Sequence, residues 1–533
     1  MGFRFWRRKE EKCGLYGRTG FWLAGIVALA ALLRLINIAK EPFWGDEILS
    51  LDIATSFGSM AEMLRYIAQV EFHPPLYYII LRPWTMLFGT SEVAVRSLSL
   101  LSSIGIVLLV YVLAKRMFDD RRVGLIAAGI TAILPLQIEF GQEARPYALF
   151  CLLGCVAALS VWEYLQTRRR AWAYVYFFAT VVGLYLHYSY SFIAIATALW
   201  WVMAVASPAK ERGQLLFKWF AVHAAIFVAF WPWLDEFLYK IFLGGFDIIG
   251  LKRNLVPIRE PNFFGDLFDS VIWVTKDEYV PAIQNLAVAL AVGVFIWMAV
   301  RLIRGKREAG SGKPFAALVT LTVTPAILFL FAPQSIPYTT LVERHMIWLT
   351  VPLTIAIAAV VVRSGKRRGA MLLAVFVASL LPYIVGIVGN DAYFDHDFRL
   401  EEGAEYINEH YVEGDVVIVA ANILRSDFAH YLREDIPMET LIPVQFRGED
   451  VWRGRHVLGL IENEIQVRIP QTSREEVFAK FDWITEKHSP QRIWVYGLTQ
   501  RDFKAHDWFE ERDWRRSFWS VSDILRLDMY IKR

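Results

Sequence analysis

Cysteine is nearly missing from this 533-residue chain: there are three, and none lies beyond Cys155. A disulfide framework is therefore excluded for everything downstream. Cys13 sits in a basic N-terminal tail, while Cys151 and Cys155 lie one helical turn apart in an apolar segment, as small packing residues do. Net charge is almost absent too, at +3 from 56 Lys and Arg against 53 Asp and Glu. That is too little to draw nucleic acid as a partner. No HExxH or CxxC spacing occurs, so no zinc motif and no metal ligand set is indicated. Internal repeats and low-complexity tracts are missing as well.

Apolar residues fill the space that charge leaves. They make up 56% of the chain and charged residues 20%, against about 45–50% and about 25% in soluble domains. The excess is uneven: long apolar runs end near Val388, and the remainder reads as soluble protein. Three parts follow, namely a basic tail at 1–20, a membrane domain at 21–389 and a C-terminal domain at 390–533.

A crossing helix needs about 20 mostly apolar residues. Suitable runs lie at 21–39, 97–113, 123–138, 147–164, 171–186, 192–206, 219–233, 282–301, 315–331, 346–362 and 370–388. The first follows a charged start but no small-residue cleavage site follows it, so it reads as an uncleaved first helix. Basic clusters occur at 115–122, 168–170, 210–218, 304–313 and 363–368. With the N-terminus cytoplasmic, about eleven crossings put every cluster on the cytoplasmic side, as the positive-inside rule requires. The larger outer loops are then 40–73 and 234–281, with shorter ones at 139–145, 187–190 and 332–344, and the C-terminal domain is extracytoplasmic. The count requires the short apolar piece at 76–88 to be interfacial or re-entrant. Beyond residue 390, helices at 401–411 and 426–433 alternate with strands at 415–420, 492–497 and 524–531, predicting a small α/β domain.

Ionisable residues at membrane depth are costly and are functional candidates by default. Here they gather on the outer side, and each has a plain reading beside the functional one. Asp46 and Glu47 follow the first helix. A carboxylate pair there suits a general base with a supporting acid, or Asp46 simply caps a helix beginning at Glu47. His73, held by Pro74 and Pro75, suits a phosphate contact or a solvated interfacial His. Glu143 and Arg145 sit in a turn more charged than a plain connection needs, and a guanidinium fork matches phosphate oxygens. Arg344 and His345 open another helix, where a cation opposes the dipole unless an anion binds. His187 reads as interfacial, and Arg34 as snorkelling or paired with a carboxylate.

Taken in order, Trp44-Gly45-Asp46-Glu47, His73-Pro74-Pro75-Leu76-Tyr77-Tyr78, Phe88-Gly89-Thr90-Ser91-Glu92-Val93-Ala94-Val95-Arg96 and Gln142-Glu143-Ala144-Arg145-Pro146-Tyr147 resemble the GT-C membrane glycosyltransferases. The branch is the bacterial one related to protein O-mannosyltransferases and aminoarabinose transferases. The resemblance implies a multi-pass enzyme of the bacterial inner membrane, active in cell-envelope glycosylation, with a periplasmic C-terminal domain. Its donor would be a polyprenyl-phosphate-linked sugar held in the lipid bilayer, its acceptor a lipid, glycan or protein outside the cytoplasm, and transfer would invert the anomeric carbon. Asp46 would be the general base and Glu47 its support. His73, Arg145 and Arg344 would contact the donor phosphate, with Glu143, Tyr147 and His345 lining the pocket. No cofactor is implied, and a need for a divalent cation is not readable. The alternatives are a multi-helix transporter and a non-catalytic scaffold with an outer partner-binding domain. A transporter would show repeated halves and helices broken at the midplane, whereas these charges lie at one interface.

Overall fold

The computed structural model describes residues 2–40, 42–69, 71, 73–205, 212–238, 313–330, 343–389, 400–421, 425–442, 474–498, 508–509, 511–521 and 525–532. The expected crossing at 282–301 and most of the loops at 234–281 and 332–344 lie outside these residues. The chain divides into two units. One holds Met1–Ile38, Gly58–Phe246 and Gly250–Asp391, the other Ala39–Phe57, Asp247–Ile249 and Ala392–Arg533.

The first unit is helical: α1 (Gly2–Leu35), α3 (Met60–Gln69), α4 (Leu76–Phe88), α5 (Glu92–Phe118), α6 (Arg121–Ile133), α7 (Pro135–Glu139), α8 (Tyr147–Thr167), α9 (Arg170–Leu186), α10 (Tyr190–Val205), α11 (Arg212–Leu238), α12 (Lys313–Leu330), α13 (Glu343–Met346), α14 (Thr350–Arg363) and α15 (Lys366–Gly389). Helix α2 (Gly45–Thr55) belongs to the second unit. Among the described residues four helices are long and apolar enough to cross a membrane, namely α5, α8, α11 and most of α15. Shorter apolar helices at Thr19–Leu35, Arg170–Leu186, Tyr190–Ala204, Pro314–Pro325 and Ile347–Arg363 accompany them. Helix α4 has 13 residues with Pro83 inside, a length of about 20 Å that falls short of a hydrocarbon core about 30 Å thick.

The run at 123–138, expected as one crossing helix, is instead two. Leu134 is extended at φ −71 and ψ 123, and α7 restarts at Pro135. A proline disfavours helical backbone at the preceding residue and lacks the N–H to continue the ladder.

Helices α1, α5 and α6 meet through Ala30, Val107, Tyr111, Ala128 and Ala132. Small residues let the backbones approach closely in the absence of a hydrophobic drive between helices in lipid. At Gly124 a Cβ would stand 2.8 Å from the Tyr111 carbonyl oxygen.

Arg34 departs from the expectation. Fully buried, it neither snorkels nor relies on a carboxylate. Its guanidinium donates to Ser103 Oγ at 2.7 Å, to the carbonyls of Ala30 (3.0 Å) and Ala132 (2.9 Å), and to that of Thr131 at 3.4 Å. It ties α1, α5 and α6 together through hydroxyl and carbonyl oxygens. Arg34→Ala orphans these acceptors, so it is expected to destabilise the first unit by about 1–3 kcal/mol. A lowered melting temperature in detergent checks this; an unchanged one contradicts it.

The second unit combines helices with a sheet. Its elements are α2, α16 (Leu400–His410), β1 (Val416–Ala421), α17 (Arg425–Tyr431), β2 (Met438–Ile442), α18 (Arg474–His488), β3 (Arg492–Leu498), β4 (Trp514–Val521) and β5 (Leu525–Lys532). The sheet order is β2-β1-β3-β5-β4. Strand β1 runs parallel to β2 and β3, whereas β5 is antiparallel to β3 and β4. Successive side chains in β1 alternate between two cores, as strand geometry demands. Val417 and Val419 join Ala404, Phe428, Trp494 and Tyr496, while Val416 and Ile418 join Phe481, Ile484 and Tyr530.

Asp415, just before β1 and only 2% exposed, accepts from Arg492 Nε (2.8 Å), Arg492 Nη2 (2.5 Å), Trp494 Nε1 (3.0 Å) and the Val412 amide (3.1 Å). Removing one partner of a buried ion pair costs about 3–5 kcal/mol. Because the Arg492 side chain is partly exposed, Asp415→Ala is expected near the lower end, read as an earlier urea midpoint for this unit.

Candidate functional site

The stretch Gln142-Glu143-Ala144-Arg145-Pro146-Tyr147 is held by the end of α1. Gln142 Nε2 donates to the open carbonyls of Arg34 (3.1 Å) and Ile36 (2.5 Å), groups that a helix C-terminus leaves unsatisfied. The Arg145 amide closes a tight turn on the Glu143 carbonyl at 2.8 Å, and Ser99 Oγ of α5 donates to the Arg145 carbonyl at 3.2 Å. With its backbone pinned, Arg145 is 1% exposed. Its Nη2 lies 3.4 Å from His73 Nε2 and 3.5 Å from His73 Nδ1, and its guanidinium carbon is 5.9 Å from the centre of the Tyr147 ring.

His73 precedes α4, and Pro74 and Pro75 are buried beside it. Its Nδ1 is 2.6 Å from Glu71 Oε1, and its backbone amide donates to the same oxygen at 3.0 Å. The carboxylate that orients His73 is thus Glu71, two residues upstream. An ionised carboxylate only accepts, so Nδ1 carries a proton and donates to Glu71.

His187 stands at the centre of the group, a place that its interfacial reading in the sequence does not convey. It follows α9, is 2% exposed, and stacks on Phe150 with ring centres 5.2 Å apart. The rings of His73, His345 and Tyr147 lie at 5.1, 5.2 and 5.5 Å. Ser189 ties the ends of the arrangement together: its amide donates to His187 Nδ1 at 3.1 Å, and its hydroxyl is 2.7 Å from His345 Nδ1. The unit therefore brings together His73, Arg145, Tyr147 and His345, adding Glu71 and His187. Glu143 is a buried neighbour through the turn, and Arg344 acts on both His187 and His345 through its charge. The two added residues carry a weak signal in the sequence. Glu71 is spaced to meet His73, and His187 ends a helix facing the same side as the other candidates.

Asp46 and Glu47 belong to the second unit, in the first turn of α2. The helix starts at Gly45 after Trp44, so Asp46 is not its cap. Glu47, 1% exposed, reaches back to the Trp44 amide at 3.4 Å, as the acid of a capping box does. Tyr431 Oη of α17 donates to the Phe43 carbonyl at 2.8 Å, and the His430 and Phe43 rings lie 5.8 Å apart. This loop is fastened to the C-terminal fold of its own unit.

Burial pushes the Glu71 carboxyl upward. The hydrogen bond and charge of His73, the charge of Arg145 and the His73 amide outweigh this and bring it down to about 2. Burial first, then the electrostatic influence of His73, His345, Arg145 and Arg344, hold His187 well below the usual imidazole range. His345 is lowered to about 3 by burial first and by Arg344 next. Between about pH 3 and 6 the unfolded chain binds protons at these positions that the folded chain does not, so stability rises with pH there. The melting temperature should fall as pH drops from 7 to 4, and His187→Gln should flatten the upper part of that fall. A variant profile parallel to wild type would contradict this assignment. Among the described residues no group of three His, Cys, Asp or Glu side chains is placed to hold a metal ion.

Residues 72–234 match the family described as dolichyl-phosphate-mannose-protein mannosyltransferase. The match includes His73, Glu143, Arg145, Tyr147 and His187 and leaves out Asp46, Glu47, Arg344 and His345. No curated protein matches the sequence. Among solved structures, ArnT from Cupriavidus metallidurans bound to undecaprenyl phosphate is similar at TM-score 0.52 and 13% identity, over 95% of this chain and 98% of that one. The apo state of that protein gives 0.51 and 11% over the same shares. Arabinofuranosyltransferase AftD from Mycobacteria gives 0.50 and 13%, over 96% of this chain and 40% of that one. The chain shares its fold with these solved membrane proteins, and its motifs resemble the GT-C membrane glycosyltransferases.

Proposed function

We propose that the chain transfers a sugar from a polyprenyl-phosphate-linked donor to an extracytoplasmic acceptor, a lipid, glycan or protein, with inversion at the anomeric carbon. The observation that carries this is the buried Arg145 guanidinium set among His73, Tyr147, His187 and His345. A cation held in a site of low water content stabilises negative charge that grows on a leaving phosphate. The anomeric carbon–oxygen bond breaks and its electron pair stays with the phosphate. Asp46 takes the proton of the attacking acceptor hydroxyl or amine, with Glu47 in support, and Arg344 adds positive charge for the phosphate. A protein of the same fold has been solved with undecaprenyl phosphate bound, which supports a lipid-phosphate donor here. The isoprenoid tail would remain in hydrocarbon while the head group meets the site. In this reading the protein lies in the bacterial inner membrane, its N-terminus cytoplasmic and its C-terminal unit periplasmic.

Purified protein incubated with a panel of radiolabelled polyprenyl-phosphate sugars should release label, by transfer or by slow hydrolysis, from one of them. Release from none would favour the transporter or scaffold readings. Orientation has its own check. A cysteine placed at Trp483, which is 44% exposed on α18, should react with a membrane-impermeant maleimide from the periplasmic side of spheroplasts. Reaction only after lysis would reverse the assigned orientation.

A further inference from the structure

We infer that His187 is a direct, uncharged hydrogen-bond donor to the phosphate of the lipid-linked donor, giving its Nε2–H to a phosphate oxygen. This rests on the functional reading above and adds a residue to it.

The tautomer follows from local geometry. His187 begins a turn in which the Ser189 amide donates to its Nδ1 at 3.1 Å. A ring nitrogen that accepts a hydrogen bond carries no proton, so in the neutral ring the proton is on Nε2. That N–H lies across the ring from the Ser189 contact. It is buried and has no hydrogen-bond acceptor among the described residues. A buried donor without an acceptor costs free energy, about 1–3 kcal/mol. Such a group at the centre of these rings marks a position where an acceptor arrives.

The surroundings define that acceptor. His73, Tyr147, Phe150 and His345 ring the imidazole, and the charges of Arg145 and Arg344 act on it. An acceptor in this setting meets positive potential, so an anionic oxygen is favoured over a neutral one. The same charges and the burial keep the ring from taking a second proton, and the donor therefore does not depend on protonation. During transfer His187 gives up no proton. Its hydrogen bond strengthens as the departing phosphate oxygen gains the electron pair of the broken bond. His187 thus supplies direction without charge, and Arg145 supplies the charge.

The test is equilibrium binding of undecaprenyl phosphate and of undecaprenol to the full-length protein in detergent. Variants are His187→Phe, which keeps an aromatic ring, and His187→Gln, whose amide N–H can stand in for Nε2–H. Wild type should prefer the phosphate. His187→Phe should lose about 10- to 100-fold in affinity for it, and His187→Gln should stay within about threefold of wild type. Phosphate affinity unchanged in His187→Phe would overturn the role of His187 while leaving the wider reading in place. Equal wild-type affinity for alcohol and phosphate would overturn both. Should His187→Phe fail to fold, histidine-labelled wild type still decides the matter by NMR. The His187 Nε2–H signal should move downfield on addition of undecaprenyl phosphate and not of undecaprenol, and an unmoved signal overturns the assignment.

Discussion

Asp46→Asn should reduce sugar transfer by about 10²–10⁴-fold, the usual loss when a positioned general base is removed, with polyprenyl-phosphate binding intact. The substitution is nearly isosteric and removes only the ability to take a proton. Asp46 is partly exposed in the first turn of α2, so the change should leave the fold in place. Glu47 carries the structural contact to the Trp44 amide, and Glu47→Ala, which removes that acceptor, is therefore expected to lower both stability and activity. That contrast separates chemistry from architecture within one short motif. If Asp46→Asn transferred sugar at the wild-type rate, the base would have to be sought elsewhere.

Arg145→Ala should cost about 10²–10³-fold in transfer, the scale of removing one group that stabilises transition-state charge. It should also weaken binding of the lipid phosphate. Arg145→Lys is not expected to restore activity. A guanidinium presents a planar fork that can meet two phosphate oxygens while lying flat against neighbouring rings, and an ammonium does neither. The Arg145 backbone is held by Gln142, Glu143 and Ser99, so both variants should keep the turn. A lysine variant with full activity would show that charge alone suffices.

Much of the helical unit is legible in the sequence because lipid demands it. A chain in hydrocarbon must satisfy its backbone internally, so apolar runs of sufficient length become helices. Nearly every predicted run within the described residues has a helix over it. The exception at Leu134–Pro135 follows from one proline. In the second unit, the buried strand Val416–Ala421 and the helix Leu400–His410 stand out by hydrophobic pattern. Strands β2 and β4 do not, since METLI is short and WRRSFWSV carries two arginines. What identifies them is pairing with β1 and β5, a long-range property absent from any local window.

The candidate site is legible in part for the same reason. His73, Arg145 and Tyr147 lie in motifs whose proline and charge content is unusual for a membrane boundary. Glu71 lies two residues outside the His73-Pro74-Pro75 motif, and only the 2.6 Å contact shows its role. His187 is surrounded in sequence by tyrosines and serine, like any interfacial segment. Its weight comes from partners contributed by α8, α13 and the loop before α4, which no spacing rule brings together. Arg34 misleads in the sequence because a buried arginine suggests a carboxylate. Three helix carbonyls and a hydroxyl satisfy it instead.

The central claim is that the Arg145 pocket receives a lipid-borne phosphate. The most direct measurement is the phosphorus NMR signal of undecaprenyl phosphate titrated with purified wild-type protein and with Arg145→Ala. A signal that shifts and broadens with wild type, and stays at its free position with the variant at equal protein concentration, is the predicted result. Identical shifts with the two proteins would place the phosphate somewhere else and contradict the account.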